Sequence, residues 1–441
     1  MDSSNLHLRR RAFAAGLALA SLFLLAALPA QAQELSFTPF HPNGIYSLGE
    51  KAGWTVTPAK GATTTKFNYV IKKNNSGTIA TGALDLSTGS AVLATTVDEP
   101  AMLYVEVNAA TPAAEGPGGA KPAPIHLGAA VEPWKLQPSV PRPADFDAFW
   151  DGKLKALAAI PINPVLAPTP TTVAGVELYT VKLDSVSSNA QGYLAKPAKP
   201  GKFPALVIFE WAGVHALQTG TVTDRAAEGW LAFNVESHDI APTQATGVPL
   251  DYQAIGNTDR ETSYFLNMYL RDSRAIDYIA TRPDWDGRNI VVMGTSMGGH
   301  QSLATAGLNP KVTAVVVNEP AGADSNGDLH GRKTGYPYWP ADSPKAMQTA
   351  LYFDTVNFAP RIKAPVAAAM GFIDIVVPPV GVWIALNQVA GPKEAIPMVD
   401  SNHNNLTPDK IGAYESRSKE VLDLILHGME FKPNEELTRP K

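Results

Sequence analysis

The chain contains no cysteine. That absence excludes disulfides, thiolate metal sites and a cysteine nucleophile, and also a bacterial lipoprotein anchor, which needs a cysteine to carry the lipid. A basic excess is also missing. The formal net charge is −5 and no long run of like charge occurs, so no surface is marked for nucleic acid or for an anionic membrane. No internal repeat is visible, and after the first 30 or so residues no stretch is long and apolar enough to span a bilayer. What remains is an ordinary globular balance, 45% apolar and 17% charged, in 441 residues, a length that suits two domains. The 37 prolines and 35 glycines point to a loop-rich protein.

The N-terminus has the layout of an export signal. Arg9, Arg10 and Arg11 are followed by an apolar run from Ala12 to Leu28 and by Ala30-Gln31-Ala32, a small-residue cleavage site. Residues 1–32 are therefore expected to be a signal peptide, with a mature chain starting near Gln33. The run is short for a retained anchor. The expected location is periplasmic or extracellular, with no membrane attachment after removal. Arg10-Arg11-Ala12-Phe13 leaves the twin-arginine route open beside the general one.

Residues 33–133 read as an all-β, sandwich-like accessory domain. Short Thr-, Val- and Tyr-rich runs such as 53–57, 66–71 and 103–107 are separated by turn signals, among them Asn74-Asn75-Ser76-Gly77. An Ala/Pro/Gly-rich loop over 111–124 precedes a returning strand at 125–131. Past Pro133 the pattern changes. A helix is expected over 143–160, then strands at 178–183 and 192–195. Apolar strands then alternate with helices, the strands at 205–210, 231–235, 290–293, 312–317, 366–370 and 395–399 and the helices at 260–280, 297–307, 380–388 and 411–427. Continuous apolar strands of this kind suit a mostly parallel sheet covered on both faces. The expected fold class is α/β, with a catalytic domain over 134–430 and a C-terminal tail over 431–441.

One motif carries chemistry. The buried-strand pattern Ile290-Val291-Val292-Met293 runs into Gly294-Thr295-Ser296-Met297-Gly298-Gly299 and then into a helix. Strand, G-x-S-x-G and helix is the setting of a nucleophile elbow, in which a serine sits on a strained turn and small neighbours let the backbones pass closely. A serine hydroxyl needs a general base, and the base needs an orienting carboxylate. His403 lies in Asp400-Ser401-Asn402-His403-Asn404-Asn405, just after the final strand. Asp374 follows the strand before it and precedes His403 by 29 residues, room for one helix and one strand. Of the other later histidines, His330 lies in a glycine-rich loop and His427 at a helix end. His300 lies one turn along the elbow helix, facing away from a base's position. Asp400, three residues from His403, is the rival acid. Ser296, Asp374 and His403 are the expected nucleophile, orienter and base. The backbone N–H groups of Met297 and of Ala212, in the loop after strand 205–210, are the expected oxyanion donors. No cofactor or metal is expected.

Trp211-Ala212-Gly213-Val214, Arg225-Ala226-Ala227-Glu228-Gly229-Trp230, Asp259 to Phe265, Arg282 to Gly287 and the acid loop from Gly371 to Pro379 together resemble the acetyl xylan esterase and cephalosporin-C deacetylase family, carbohydrate esterase family seven. The likeness covers about 138–428. It implies an α/β-hydrolase fold and metal-free removal of acetyl groups from small acetylated sugars. Carried over residue by residue, it places the triad on Ser296, Asp374 and His403 and the donors on Ala212 and Met297. The chain departs from the family at Met297, where glutamine is usual, and at Asn404, where glutamate is common. Glu236-Ser237-His238-Asp239 also stands in the region of its Arg-Gly-Gln motif. These departures bear on the substrate and on the family's hexameric assembly, so a homo-oligomer stays open.

The expected function is that of a secreted serine esterase acting on acetylated xylo-oligosaccharides or related acyl esters through an acyl-enzyme. Two alternatives stand beside it. One is a serine peptidase of the prolyl-oligopeptidase type, for which the front segment is too short to form the usual propeller. The other is a glycan-binding protein with a relict hydrolase domain.

Overall fold

The computed structural model describes residues 35–110, 123–404 and 407–438. The expected signal peptide, most of the Ala/Pro/Gly-rich loop and the last three residues of the expected tail lie outside the described residues.

The front of the chain forms two facing sheets. Strands β1 (Leu35–Pro39), β2 (Ile45–Tyr46), β3 (Ala52–Pro58), β4 (Lys66–Lys73), β5 (Gly77–Asp85), β6 (Ala91–Thr95), β7 (Ala101–Ala109) and β8 (Ile125–Val131) follow in order. One sheet is β1-β3-β6 and the other β2-β8-β7-β4-β5. Alternate side chains of these strands point inward, as the two-residue period of a strand requires. Trp54, Val56, Ile71, Leu93, Val105 and Leu127 make the shared core. Trp54 is thus a packing residue, 3% exposed.

After a helix α1 (Phe146–Ala158), strands β9 (Val165–Thr169), β10 (Val176–Ser185), β11 (Ser188–Pro197) and β12 (Phe203–Phe209) enter a second architecture. Then come α2 (Gly220–Glu228), β13 (Leu231–Glu236), α3 (Tyr264–Thr281), β14 (Trp285–Thr295), α4 (Met297–Leu308) and β15 (Ala314–Asn318). The chain continues through α5 (Pro344–Ala350), α6 (Thr355–Phe358), β16 (Val366–Gly371), α7 (Pro379–Gln388), β17 (Lys393–Met398) and α8 (Pro408–Leu426). Nine strands form one sheet in the order β17-β16-β15-β14-β12-β13-β11-β10-β9. The six from β17 to β13 are parallel, while β11, β10 and β9 add an antiparallel edge. The fold class is therefore α/β, with a parallel-rich sheet preceded by a β-rich region.

The apolar runs read from sequence are buried because each central strand feeds two cores. In β12, Ala205, Val207 and Phe209 face one side and Leu206 the other. In β14, Ile290 and Val292 oppose Val291, and in β15, Val315 and Val317 oppose Val316. Helices α3, α4 and α7 cover the first face, and α2 and α8 the second. Full burial of each such aliphatic side chain contributes about 1.5–3 kcal/mol before chain entropy is counted.

Among the elements whose bounds differ from those read in the sequence, four do so for local reasons. The helix expected from 260 begins at Tyr264, because residues 259–263 close a turn in which the Thr262 and Ser263 amides bond the Asp259 carbonyl. The strand expected from 290 begins at Trp285, whose indole bonds the Asn289 carbonyl. The two short strands at 178–183 and 192–195 are the apolar centres of a ten-residue-per-arm hairpin, and its ends are polar. The segment 431–438 lies against the catalytic body. Phe431 is buried there, and the Thr438 hydroxyl donates to the Lys393 carbonyl at 2.8 Å.

The two architectures meet at one place that matters for chemistry. Ile45, Met102 and Ala130 of the front sheets share a core cluster with Phe372, which stands just past β16. A Cβ on Gly128 would lie 2.5 Å from the Phe372 Cβ, so only glycine allows this approach. The β4–β5 turn holds Asn74 and Asn75 at positive φ. Its Asn74 carbonyl accepts from the Lys333 amide, 2.9 Å, and the Asn75 side-chain amide reaches the Asp374 carbonyl, 3.4 Å.

Candidate active site

Ser296 occupies the sharp junction between β14 and α4 with φ 58° and ψ −119°, a strained conformation for a residue with a side chain. The turn is held by its own backbone: the Ser296 amide donates to the Asn318 carbonyl, and the Ser296 carbonyl accepts from Ala321, both at 3.0 Å. Two glycines make it passable. A Cβ on Gly294 would sit 2.4 Å from the Gly298 carbonyl carbon, and one on Gly298 would sit 2.2 Å from the Phe209 carbonyl oxygen. The motif spacing is thus a requirement of close backbone approach.

The loops after β14, β16 and β17 bring Ser296, Asp374 and His403 together at the carboxyl edge of the sheet, where open α/β sheets present their sites. The Ser296 hydroxyl donates to His403 Nε2 at 2.9 Å. His403 Nδ1–H donates to Asp374 Oδ2 at 2.8 Å. Asp374 is fully buried, and its other oxygen accepts from the Val376 and Val377 amides, 2.8 Å each. That turn fixes the carboxylate, and the carboxylate fixes the ring tautomer. His403 keeps 12% side-chain exposure and Ser296 5%, so the reacting edge is reachable from one side. Such a relay can move a proton from hydroxyl to imidazole and back to a leaving group.

The other candidates lie elsewhere. His300 is buried, donates from Nε2 to the Phe353 carbonyl at 2.7 Å and touches the Tyr269 hydroxyl. Burial pushes its pKa down to about 4. His427 closes α8 against the Asp423 carbonyl, and His330 lies in a short turn at 327–330.

Met297 begins α4 directly after Ser296, so its backbone N–H belongs to the first turn, where unsatisfied amides and the helix dipole favour negative charge. Its sulfur lies 3.1 Å from the Tyr252 hydroxyl and 3.4 Å from the Tyr336 hydroxyl. Ala212 packs against the same apolar cluster as Met297. The loop carrying Ala212 is anchored through its next residue. The Gly213 amide donates to the Tyr252 hydroxyl at 3.4 Å, and the Gly213 carbonyl accepts from His238 Nε2–H at 2.9 Å. His238 Nδ1 in turn accepts from Tyr264, and burial lowers its pKa to about 4, which keeps the ring neutral. The segment Glu236-Ser237-His238 is therefore a buried support for this loop. In the sequence it stands only in the region of the family's Arg-Gly-Gln motif, with no role read for it.

Two further residues were given no role from sequence. Glu319, one residue past β15, brings Oε2 to 3.5 Å from His403 Nδ1. Trp211, before Ala212, is 55% exposed and stacks on His215 with ring centroids 4.8 Å apart. A carboxylate at the end of a parallel strand next to the elbow strand was the available signal for Glu319.

Sheet order, elbow and relay together define an α/β-hydrolase. The chain belongs to the acetyl xylan esterase family, a family of carboxylic ester hydrolases, whose model matches residues 134–416. The front sheets lie outside that match. The chain is 35% identical over 288 residues to the acetyl esterase Axe7A of Xylanibacter ruminicola, a match that covers 62% of this chain and 66% of that protein. It thus spans just under two thirds of that relative's length. Two solved structures share the fold. An acetyl xylan esterase from Paenibacillus sp. R4 superposes with a TM-score of 0.59 at 23% identity, over 68% of this chain and 99% of that one. Acetyl xylan esterase 1 from Thermoanaerobacterium sp. JW/SL YS485 gives 0.58 at 22%, over 67% and 97%.

Proposed function

We propose that this protein is a serine esterase that removes acetyl groups from small acetylated carbohydrates, xylo-oligosaccharides first among them. The observation that carries the reading is the unbroken relay Ser296–His403–Asp374 on a strained elbow, within a chain of the acetyl xylan esterase family.

In this reading the Ser296 oxygen attacks the acetyl carbonyl carbon while His403 Nε2 takes the hydroxyl proton. The oxyanion of the tetrahedral intermediate is held by the N–H groups of Met297 and Ala212. Collapse breaks the bond to the sugar oxygen, which leaves with the proton from His403, and Ser296 keeps the acetyl group. Water then attacks with His403 as base, acetate departs and Ser296 regains its proton. Loss of one oxyanion donor typically costs about 3–4 kcal/mol of transition-state stabilisation.

The export signal read over 1–32 supports a periplasmic or extracellular enzyme that meets sugars released from polymer outside the cell. Among the described residues, no helix is long and apolar enough to cross a membrane. The experiment compares acetate release from acetylated xylo-oligosaccharides with cleavage of proline-containing peptides. Acetate release without peptide cleavage is expected. Peptide cleavage alone would move the protein to the peptidase reading. Neither, from folded protein that a fluorophosphonate fails to label, would leave the relict-hydrolase reading.

A further inference from the structure

The carboxyl group of Glu319 is in an unusual position. The residue is 1% exposed, stands at φ 45° and places Oε2 3.5 Å from His403 Nδ1, the nitrogen that Asp374 already holds at 2.8 Å. Neither of its oxygens closes a hydrogen bond of ordinary geometry. Its backbone is pinned between the two neighbouring site loops. The Glu319 amide donates to Ala369 at 2.9 Å, while the preceding carbonyl, of Asn318, accepts from Ser296. Room for the side chain comes from Gly371, where a Cβ would lie 2.6 Å from Oε1. A buried carboxyl without a well-formed hydrogen bond is a costly way to fill space, and an apolar side chain would serve packing better.

We propose that Glu319 is a second orienting acid for His403, facing the same ring nitrogen as Asp374 and able to hold the ring when Asp374 is removed. The inference rests on Ser296, Asp374 and His403 being the working relay. Glu319 is a positioning residue that acts through His403. Two carboxylates this close do not both ionise readily. Burial, and then the charge of Asp374, push the Glu319 carboxyl well above the ordinary range, with the Gly371 amide opposing. In the intact site Glu319 is therefore neutral. The titratable groups facing Glu319 are Asp374 on the loop after β16 and His403 on the loop after β17. Removing the Asp374 carboxylate removes the repulsion and leaves burial alone to hold the Glu319 proton, so its pKa falls, and its ionised carboxylate accepts the His403 Nδ1–H bond.

The test uses the full chain and an aryl acetate, with four proteins: wild type, Glu319→Gln, Asp374→Ala and the double variant. Glutamine keeps the shape and the neutral polarity of the resting side chain, so a packing role is left in place. Glu319→Gln alone is expected to change kcat by about threefold or less, whereas adding it to Asp374→Ala is expected to remove at least about a further tenfold, a coupling that independent sites do not show. The residual activity of Asp374→Ala is expected to rise with an acid limb displaced from that of wild type, and the double variant is expected to lose that limb. If Asp374→Ala loses its fold by melting temperature, Asp374→Asn replaces it, because its side-chain oxygen still accepts from Val376 and Val377. Equal activity of single and double Asp374 variants would overturn the proposal, as would an equal factor for Glu319→Gln in both backgrounds. A wild type that neither turns over the ester nor is labelled at Ser296 would overturn the relay itself, and that outcome is distinguishable from the other two.

Discussion

The side-chain amide of Asn75 lies 3.4 Å from the backbone carbonyl of Asp374, across 299 residues of sequence. A turn of the front sheets thus touches the loop that carries the site's carboxylate, and Phe372 of the same loop is wedged against Gly128. Asn75→Ala is expected to lower kcat on an aryl acetate about two- to fivefold with KM little changed, the scale of one modest hydrogen bond. Gly128→Ala, which forces Phe372 to move, is expected to lower both kcat and the melting temperature further. Unchanged kcat in both variants would show that the front sheets do not hold this loop.

Met297 offers a second check. Its backbone N–H is the proposed oxyanion donor, and its sulfur lies within 3.4 Å of the Tyr252 and Tyr336 hydroxyls, which are 2.8 Å apart. Met297→Leu keeps the backbone donor and nearly the same volume, so the core should tolerate it at a cost below about 1.5 kcal/mol. Steady-state kinetics should show kcat within a few-fold of wild type and a KM that shifts with the acyl group. A loss as large as that of Ser296→Ala would mean that the side chain itself takes part in the chemistry.

Trp211 presents an exposed ring beside the Ala212 loop. Aromatic faces suit the apolar faces of pyranose rings, and burying such a ring is a large contribution to binding. Trp211→Ala is expected to raise KM for acetylated xylo-oligosaccharides about tenfold or more while leaving KM for a small aryl acetate within about twofold. An equal change for both substrates would place the ring's effect on the loop instead.

The buried histidine His300 predicts a pH dependence of stability. Its folded pKa is lowered to about 4 by burial, from an ordinary value of 6.5. Its stabilising contribution is complete above pH 6.5. Below that the unfolded chain takes up a proton that the folded chain refuses, and the loss approaches about 3 kcal/mol as the pH nears 4. Glu236, Asp272 and Asp354 are raised by burial and act with the opposite sign. The clean measurement is therefore the melting-temperature difference between wild type and His300→Asn, which should shrink steadily from pH 7 to pH 4.5. A constant difference would mean that folding does not shift the His300 pKa.

What was legible in the sequence followed from locality. The elbow is one contiguous strand, turn and helix, so Ser296 and its glycines could be read directly. Asp374 and His403 were legible because each ends an apolar strand late in the chain, where a parallel sheet gathers its loops. Glu319 ends such a strand too, but its importance depends on a backbone twist at one residue and on the room left by Gly371. Asn75 could be read as a turn residue but not as a neighbour of Asp374, because nothing local signals a contact 299 residues away. The polar ends of the β10–β11 hairpin escaped for a related reason. Asp184 and Gln191, for example, lie at half-buried positions just beyond the runs read as strands and break the apolar pattern while the strands continue.

The central claim is that Ser296, acting with His403 and Asp374, releases acetate from an acetylated sugar. Acetate release from acetylated xylo-oligosaccharides by wild type and by Ser296→Ala, matched for folding by melting temperature, tests it most directly. The account predicts steady turnover by wild type and a fall of at least about 10³-fold in the variant. Equal acetate release from the two proteins, or none from a folded wild type, would contradict it.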